Sequence, residues 1–300
     1  MRSARQLKEL YRKGENISAL LREAEGVEHN SQETIEVAYD LQSGSYVAAM
    51  EKDCLRSHQR DYGQAISSLI GSLCKPKTIL EAGVGEATTF ADVVQQFQFD
   101  VTCYGFDISW SRAAVARQWL KREGVEGTVL CTGDLLSIPF ATNSIDVVYT
   151  SHSIEPNGGS EEPILRELYR VAKKYLVLLE PGREFASADA QRRMDSHGYC
   201  KGLNELAIRL GYDVLEHKLF PVCANPLNPT AVTVIKKVAP AEAIPDWTLA
   251  CPRYKTKLEQ MESAYFSPEA LVAYPVIGGI PCLRIENGVL ASKFEDVFGH

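Results

Sequence analysis

The chain has 300 residues, of which 45% are hydrophobic and 24% charged, and this composition is ordinary for a globular protein with a sizeable core. Its formal net charge of −7 argues against sequence-independent binding to nucleic acid or to an anionic membrane surface, because both rest on positive charge. The eight cysteines are scattered singly, without a C-x-x-C pair, and no apolar stretch is long enough to span a bilayer. The charged N-terminus lacks a signal-peptide apolar region. We therefore expect a cytoplasmic protein without a membrane span.

The N-terminal part of the sequence predicts helices only. Residues 1–30 show apolar side chains at helical spacing in two short segments, and residues 31–74 continue the helical pattern with a break near LQSGS. We interpret residues 1–60 as a helical lid over the rest of the molecule.

Strands and helices alternate from Thr78 onward, which implies crossover connections and a mainly parallel sheet. The last two apolar segments, at residues 213–222 and 230–238, have no helix between them and should pair in antiparallel fashion. The sequence therefore predicts a Rossmann-like α/β fold over residues 61–238, with seven strands in a mainly parallel sheet and an antiparallel last strand. Residues 239–246, rich in alanine and proline, predict a linker, and residues 247–300 a small β-rich appendage.

The segment ILEAGVGEATTF at residues 79–90 predicts a buried strand that runs into a glycine turn. A G-x-G turn alone is a weak signal, but three acids recur at successive strand ends: Glu81, Asp107 and Asp134. Carboxyl ends of parallel strands meet at one edge of the sheet, where ligands bind, and an acid 22 residues after the second glycine suits a ribose diol. A third acid can accept a hydrogen bond from an adenine amino group. The alternative is that each acid caps a helix.

Five segments resemble, in order, the successive motifs of the class I S-adenosylmethionine-dependent methyltransferases, and more narrowly those of methyltransferase type 11. They are ILEAGVGEA, YGFDIS, GDLLSIPF, SIDVVYTSHSIE and ILRELYRVAKKYLVLLEPG. The resemblance covers roughly residues 60–238 and implies S-adenosyl-L-methionine as cofactor. It implies cofactor-binding roles for Glu81, Ala82, Gly83, Gly85, Asp107, Ile108, Asp134 and Leu135. Ala87 stands where the family often has a third glycine, which we expect to be a mild packing change.

The acceptor side of that fold follows the fourth strand, where His152 is the best candidate for a general base and Glu155 the second. The alternatives are that His152 merely hydrogen-bonds a loop and that Glu155 is solvated. Other residues that we predict to bind the acceptor stand in the lid and in loops at strand ends: Tyr39, Gln42, Tyr46, Asn157, Arg183 and Asn225. The alternatives are a helix break with capping residues for residues 36–46 and an ordinary surface arginine for Arg183.

Residues 249–284 are similar to the small zinc-ribbon-like domain that partners several RNA and protein methyltransferases. That family has two C-P-x-C knuckles, and here the first reads CPRY from Cys251 and the second SPEA from Ser267. A structural zinc ion needs four thiolate or imidazole ligands, so we expect no metal in this domain.

The leading hypothesis is a cytoplasmic methyltransferase that transfers a methyl group to oxygen, less readily to nitrogen, of a small metabolite or sugar-containing intermediate. The resemblance of the appendage motivates a second interpretation, a methyltransferase acting on tRNA or a translation protein. A third is a cofactor-binding regulatory subunit without turnover. The sequence leaves a homodimer open.

Overall fold

The computed structural model describes residues 2–238, 245–261 and 263–298. The N-terminal part is helical, as predicted, and the side chains of Ser3, Asn16 and Ser31 each accept a first-turn N–H that fixes where a helix begins. The first five helices are α1 (Ala4–Arg12), α2 (Ile17–Glu25), α3 (Gln32–Leu41), α4 (Ser45–Ala49) and α5 (Asp53–Leu73).

A seven-stranded sheet forms the centre of the protein, in the order β3-β2-β1-β4-β5-β7-β6. Strand β7 runs antiparallel to both of its neighbours, whereas β1 to β5 are parallel to one another. The predicted fold class is therefore confirmed. The strands are β1 (Thr78–Ala82), β2 (Thr102–Asp107), β3 (Val129–Thr132), β4 (Ile145–Ser151), β5 (Ala172–Pro181), β6 (Asp213–Leu219) and β7 (Thr230–Lys236).

Both faces of the sheet are buried. Successive side chains of a strand point to opposite faces, so neighbouring residues belong to different apolar clusters. Leu80 and Val148 belong to one apolar cluster, and Ile79 and Val147 belong to the other. The helices that connect the strands cover these faces. They are α6 (Thr88–Gln95), α7 (Trp110–Arg122), α8 (Glu161–Val171), α9 (Ala188–His197) and α10 (Leu203–Arg209), with a short 3-10 helix at Arg183–Phe185.

The strand order reverses between β1 and β4, because β1, β2 and β3 extend the sheet in one direction and β4 and β5 in the other. A crevice is expected at such a switch point, outside the carboxyl ends of the strands. Glu81 near the end of β1 stands in register with Tyr149 of β4. The sheet thus places a carboxylate and a phenol side by side where the crevice begins.

The C-terminal segment docks on edge strand β3. The N–H of Leu283 donates to the carbonyl of Thr132 at 3.2 Å, and Thr132 forms a parallel bridge with Cys282. Leu283 and Tyr274 are buried in the same apolar cluster as Leu80. The segment contains β8 (Glu259–Gln260), β9 (Ala264–Ser267), β10 (Val272–Ile277), β11 (Ile280–Pro281), β12 (Val289–Leu290) and α11 (Phe294–Phe298), with a 3-10 helix at Ile285–Asn287.

The predicted domain boundaries, at residues 1–60, 61–238 and 247–300, stay predictions, because the apolar cluster is continuous across the last of them. The predicted linker at residues 239–246 lies outside the described residues except for its last two. The likeness to a zinc-ribbon domain also stays an interpretation of the sequence. Within the described ranges no three His, Cys, Asp or Glu side chains are grouped to hold a metal ion. In the same residues, none of the helices is both long and apolar enough to cross a membrane.

We expect Leu283→Ala to lower the free energy of unfolding of the whole protein by about 2–5 kcal/mol, because it removes a fully buried side chain from the shared cluster. Urea denaturation followed by tryptophan fluorescence and by circular dichroism measures this change. Leu290→Ala is the matched control, since Leu290 is 76% exposed, and it should have little effect. A variant in which only a separate, earlier transition moves would show instead that the C-terminal segment folds independently.

Candidate functional site

A cavity of about 380 Å³ opens at the carboxyl ends of β1, β2 and β4, within the size range of small-molecule sites. Helices α3, α4 and α5 form one wall, and the glycine turn after β1 forms the floor. The loop after β4 and the loop between β6 and β7 close the far side. Lid, turn and strand-end loops therefore enclose the cavity together.

Asp107 lies in the floor of the cavity, 4% exposed, with both carboxylate oxygens engaged by the main chain. Its Oδ2 accepts the N–H of Gly85 at 2.9 Å, and its Oδ1 accepts the N–H of Ser109 at 2.9 Å. Each carboxylate oxygen can accept a further hydrogen bond. Ser109, not Asp107, caps α7, since its Oγ accepts the N–H of Arg112. The capping alternative therefore fails for Asp107, and its carboxylate can still accept hydrogen bonds from a diol.

Glu81 is a buried carboxyl group that faces the same cavity. Burial raises the pKa of Glu81 to about 8, although the hydroxyl of Tyr149, which donates to its Oε2 at 2.7 Å, acts in the opposite direction. The group therefore carries its proton near neutral pH. A cation bound beside it would favour the charged form.

The glycine turn is tied to the end of β2 and is packed on both sides. The N–H groups of Gly83 and Val84 donate to the carbonyl of Phe106 at 2.9 and 2.8 Å. Gly83 and Gly85 have φ of +77° and +56°, in the left-handed region. A Cβ on Gly83 would lie 2.3 Å from the Cβ of Ser153. The protein's own side chains, and not only a ligand, thus require these glycines.

Ala87 departs from its expected role. We predicted a mild packing change, but Ala87 has φ of +57° at the N-terminus of α6, a conformation that glycine adopts more easily than alanine. The side chain is fully buried. The backbone conformation, and not helix packing alone, therefore makes alanine a strained choice at this position.

Arg112 is a cavity residue that the sequence analysis missed. Its guanidinium lies 5.1 Å from the ring centroid of Tyr39 and 5.0 Å from that of Tyr46, in cation–π contact with both. Among the described residues no carboxylate lies within 4 Å of it, and its Nε has no hydrogen-bond partner. Burial alone would lower the pKa of Arg112, but the nearby Asp107 carboxylate raises it above its ordinary value. The cavity therefore contains a cation with unused donors.

Two carboxylates fix the lid to the floor. Glu86 accepts the N–H groups of Gly44 and Val47 at 2.9 and 2.8 Å, at the start of α4. Asp40 of α3 accepts the hydroxyls of Ser109 and Ser111 at 2.8 and 3.0 Å. Both lid helices are thus attached directly to the segments that follow β1 and β2.

His152 and Glu155 form a hydrogen-bonded pair in the wall after β4. The Nδ1 of His152 lies 2.6 Å from Oε2 of Glu155, and its Nε2 lies 2.7 Å from Oγ1 of Thr230. Burial would lower the pKa of His152, but the Glu155 carboxylate outweighs burial and raises it above its ordinary value. The same contact lowers the pKa of Glu155, against the effect of burial. His152 has φ of +54°, a strained conformation of the kind that clusters at functional sites.

Glu180, at the end of β5, organises this loop. Its carboxylate accepts the N–H groups of Ser153, Ile154 and Glu155 at 3.1, 3.1 and 3.0 Å. Burial raises the pKa of Glu180 to about 7, and the nearby His152 acts against that rise. The sequence analysis did not identify Glu180 because it stands 25 or more residues from its partners.

Most predicted site residues line the cavity. Among the predicted acceptor residues, Tyr39, Tyr46, Asn157 and Asn225 do so, and Asn157 accepts the amide of Gln32 at 3.0 Å. The predicted cofactor residues that line it, besides Glu81, Asp107 and the two glycines, are Ile108 and Leu135. The sequence analysis missed several further wall residues: Gln32, Ile35, His58, Gln59 and Tyr62. His58 and Tyr62 are one turn apart on α5, so they share a helix face. Helical periodicity predicted the helix, but it did not show that this face lines the cavity.

Four predicted residues do not line the cavity. Ala82 is fully buried in the core. Asp134 accepts the N–H of Leu136 at 2.8 Å, and its neighbours Gly133 and Leu135 reach the cavity instead. The predicted role of Asp134 toward the cofactor stays a prediction, because its Oδ1 is engaged in its own turn and the side chain does not line the cavity.

The other two are Gln42 and Arg183. Gln42 is the C-cap of α3, and its carbonyl accepts the N–H of Ser45. Arg183 forms an ion pair with Asp195 at 2.9 Å on the surface. Neither side chain is placed to contact a ligand in the cavity.

Comparison with known proteins agrees with this arrangement. Residues 79–175 match a family described as methyltransferase domain. Two curated relatives from Rauvolfia serpentina, ajmaline N-methyltransferase and norajmaline N-methyltransferase, are 31% and 32% identical over 99 residues. The matched region is 33% of this chain and 33% of each relative, so the chain spans about a third of their length.

A solved structure shares the fold at low identity. Magnesium protoporphyrin IX methyltransferase from Synechocystis, solved with bound SAH, superposes with a TM-score of 0.54 at 13% identity. The match covers 69% of this chain and 100% of that one. It supports the fold and leaves the activity to be argued from the site.

We expect Glu81→Gln to change how stability depends on pH. The folded protein keeps a proton on Glu81 up to about pH 8, whereas the unfolded chain releases it near the ordinary carboxyl pKa, so the stability of the wild type falls as pH rises between them. Without this group, unfolding free energies measured by urea denaturation between pH 5 and 8 should lose a slope of about 1.4 kcal/mol per pH unit. Glu126→Gln, at an exposed position, should retain it. Equal slopes in wild type and Glu81→Gln would contradict the assignment.

Proposed function

We propose that the protein is an S-adenosylmethionine-dependent methyltransferase that methylates an oxygen atom of a small, uncharged acceptor. The observation that carries this proposal is the cavity at the switch point, where Asp107 lies beside the glycine turn and opposite the His152–Glu155 pair. The match of residues 79–175 to the methyltransferase domain family supports the same conclusion.

The residues of the cavity fit the cofactor. Asp107 would accept the ribose hydroxyls, with Ile108 and Leu135 beside the adenine. Glu81 would face the positive charges of the methionine end, and Arg112 would bind its carboxylate. Two buried polar atoms that lack protein partners, Nε of Arg112 and Oγ of Ser153, stand next to the glycine turn and suit a polar ligand there.

The bound cofactor supplies an activated methyl group, so the protein mainly has to align the acceptor and remove its proton. His152 is the candidate for the second task, because it lines the cavity and its Nε2, 2.7 Å from Oγ1 of Thr230, is the ring nitrogen that Glu155 does not hold. Glu155 holds the opposite ring nitrogen, which orients the imidazole and stabilises its protonated form. Glu180 keeps both residues in place through the backbone of their loop.

The wall around His152 favours an uncharged acceptor. It offers neutral donors and acceptors from α5 and from the loop before β7, among them Gln59, Tyr62 and Asn225. Among the described residues that line the cavity, the one lysine or arginine is Arg112, which stands on the cofactor side. Arg183 does not line the cavity and pairs with Asp195. A phosphate or carboxylate on the acceptor would therefore find no lysine or arginine on this described wall, and Glu155 already lies against the His152 ring, whereas a neutral hydroxyl compound would find matching hydrogen-bond partners.

Transfer to nitrogen is the second candidate, because both curated relatives are named N-methyltransferases. A histidine base serves an alcohol or phenol, whose proton must leave, more directly than an amine that already presents a lone pair. Formation of S-adenosylhomocysteine with neutral hydroxyl compounds, with their phosphates and with amines separates these candidates. Binding of the cofactor without product for any of them would favour the regulatory-subunit interpretation.

We expect the protein to bind S-adenosylmethionine in isothermal titration calorimetry, and Asp107→Ala to weaken that binding at least about tenfold. A hydrogen bond to a charged group contributes about 1.5–3 kcal/mol, and the variant also releases the N–H of Gly85. Asp189→Asn, on the exposed face of α9, is the control and should bind normally. The cofactor assignment is wrong if the wild type gives no heat or if Asp107→Ala binds equally well.

We expect the His152 imidazole to titrate above the ordinary histidine pKa of about 6.5, and Glu155→Gln to lower its pKa, because the carboxylate stabilises the protonated ring. Nuclear magnetic resonance of ¹⁵N-labelled histidines measures this, with His152→Gln assigning the signal. With an accepted substrate, kcat/KM should rise with pH through the same pKa, and Glu155→Gln should shift that rise to lower pH. Glu184→Gln removes the similar contact between Glu184 and His217 and should leave His152 unchanged. An unshifted His152 titration in Glu155→Gln would rule out the pair.

A further inference from the structure

An ion pair joins the C-terminal segment to the lid. Nη1 of Arg284 lies 2.5 Å from Oε2 of Glu36, which belongs to α3. Arg284 is 5% exposed and directly follows Leu283, whose N–H is hydrogen-bonded to Thr132 of β3. The guanidinium is therefore held by a backbone that is itself fixed to the edge of the central sheet.

Helix α3 has two faces with different partners. Ile35 and Tyr39, which are four residues apart, line the cavity. Glu36 and Asp40 are also four residues apart, so they share a neighbouring face of the helix. Asp40 binds the start of α7 and Glu36 binds Arg284. The helix that contributes Ile35 and Tyr39 to the cavity wall is therefore bound on its neighbouring face at two successive turns, through Glu36 and Asp40.

Arg284 has few other partners. Its Nε is buried without a hydrogen bond, and the carboxylate of Glu286, 63% exposed, lies 3.7 Å away. The Asp134 carboxylate is near enough for Arg284 to act against the burial that raises its pKa. Loss of the Glu36 carboxylate would leave the buried guanidinium with these weaker partners only. Because Glu36 itself is 38% exposed, we expect the pair to act on the position of α3 more than on global stability.

We propose that Arg284 is a positioning residue for the cofactor cavity: the C-terminal segment, through the Arg284–Glu36 ion pair, holds α3 so that Ile35 and Tyr39 form the wall of the site. This inference rests on the proposed function for its binding readout. It assigns a role to the C-terminal segment that needs no metal ion, since the segment acts through backbone pairing on β3 and one charged side chain.

The test uses the full-length protein with Arg284→Gln, Glu36→Gln and the charge-exchanged double variant Glu36→Arg/Arg284→Glu. Both single variants should weaken S-adenosylmethionine binding about fivefold or more in calorimetry, the lower end of typical coupling between sites. Hydrogen exchange measured by mass spectrometry should become faster in residues 32–41. Once an acceptor is known, the KM for S-adenosylmethionine should rise while kcat at saturation stays near the wild-type value. The double variant should recover part of both the affinity and the protection.

Lys293→Gln is the matched control, because Lys293 forms an exposed ion pair with Asp296 inside the C-terminal segment and should change neither readout. Glu36→Gln keeps the test decisive if Arg284→Gln fails to fold. The proposal is overturned if exchange in residues 32–41 is unchanged in Glu36→Gln, or if only Arg284→Gln weakens binding. A wild type that does not bind S-adenosylmethionine contradicts the proposed function, whereas the exchange measurement still decides the role of the ion pair.

Discussion

The hydrogen bond from the N–H of Gly85 to Asp107 joins the turn after β1 to the end of β2, and the cavity depends on it. The turn can approach β2 so closely because Gly83 and Gly85 adopt left-handed backbone conformations and leave space for Ser153 and Arg112. The turn, the start of α7 and the loop after β4 therefore occupy fixed positions relative to one another. The lid helices then attach to these same segments through carboxylates, so that the whole enclosure has one rigid base.

In and around the cavity, some buried carboxyl groups have raised pKa values and others are kept ionised by a nearby cation. Burial raises the pKa of Glu81 to about 8 and that of Glu180 to about 7, which limits the cost of an unpaired buried charge at neutral pH. The contact with His152 lowers the pKa of Glu155 and so favours its ionised form. Cation–π contacts with two tyrosine rings stabilise the charge of Arg112. Charge therefore resides on the histidine pair at one end and around Asp107 and Arg112 at the other. The proposed function uses this separation, with the charged cofactor beside Asp107 and Arg112 and an uncharged acceptor beside the His152–Glu155 pair.

The parts of this arrangement that are predictable from sequence are those with a local pattern. Alternating strands and helices gave the sheet, and parallel carboxyl ends placed Glu81 and Asp107 at one edge. Asp134 does not line the cavity, because a residue two positions past a strand can bond to its own turn, which spacing does not show. Arg183 lies away from the cavity and forms an ion pair with Asp195 of the following helix, which its own segment of sequence does not show. Arg112, Glu180 and Arg284 were missed because their partners are distant in sequence and are brought close only by packing.

The docking of the C-terminal segment on β3 has a consequence for the order in which the protein is made. Until Cys282 and Leu283 leave the ribosome, β3 is an uncovered edge strand, although every other strand of the central sheet has already been synthesised. Such an edge presents free N–H and C=O groups to any extended peptide nearby. The segment around Cys282 and Leu283 thus protects the edge of the nascent sheet from pairing with neighbouring molecules once it has been made.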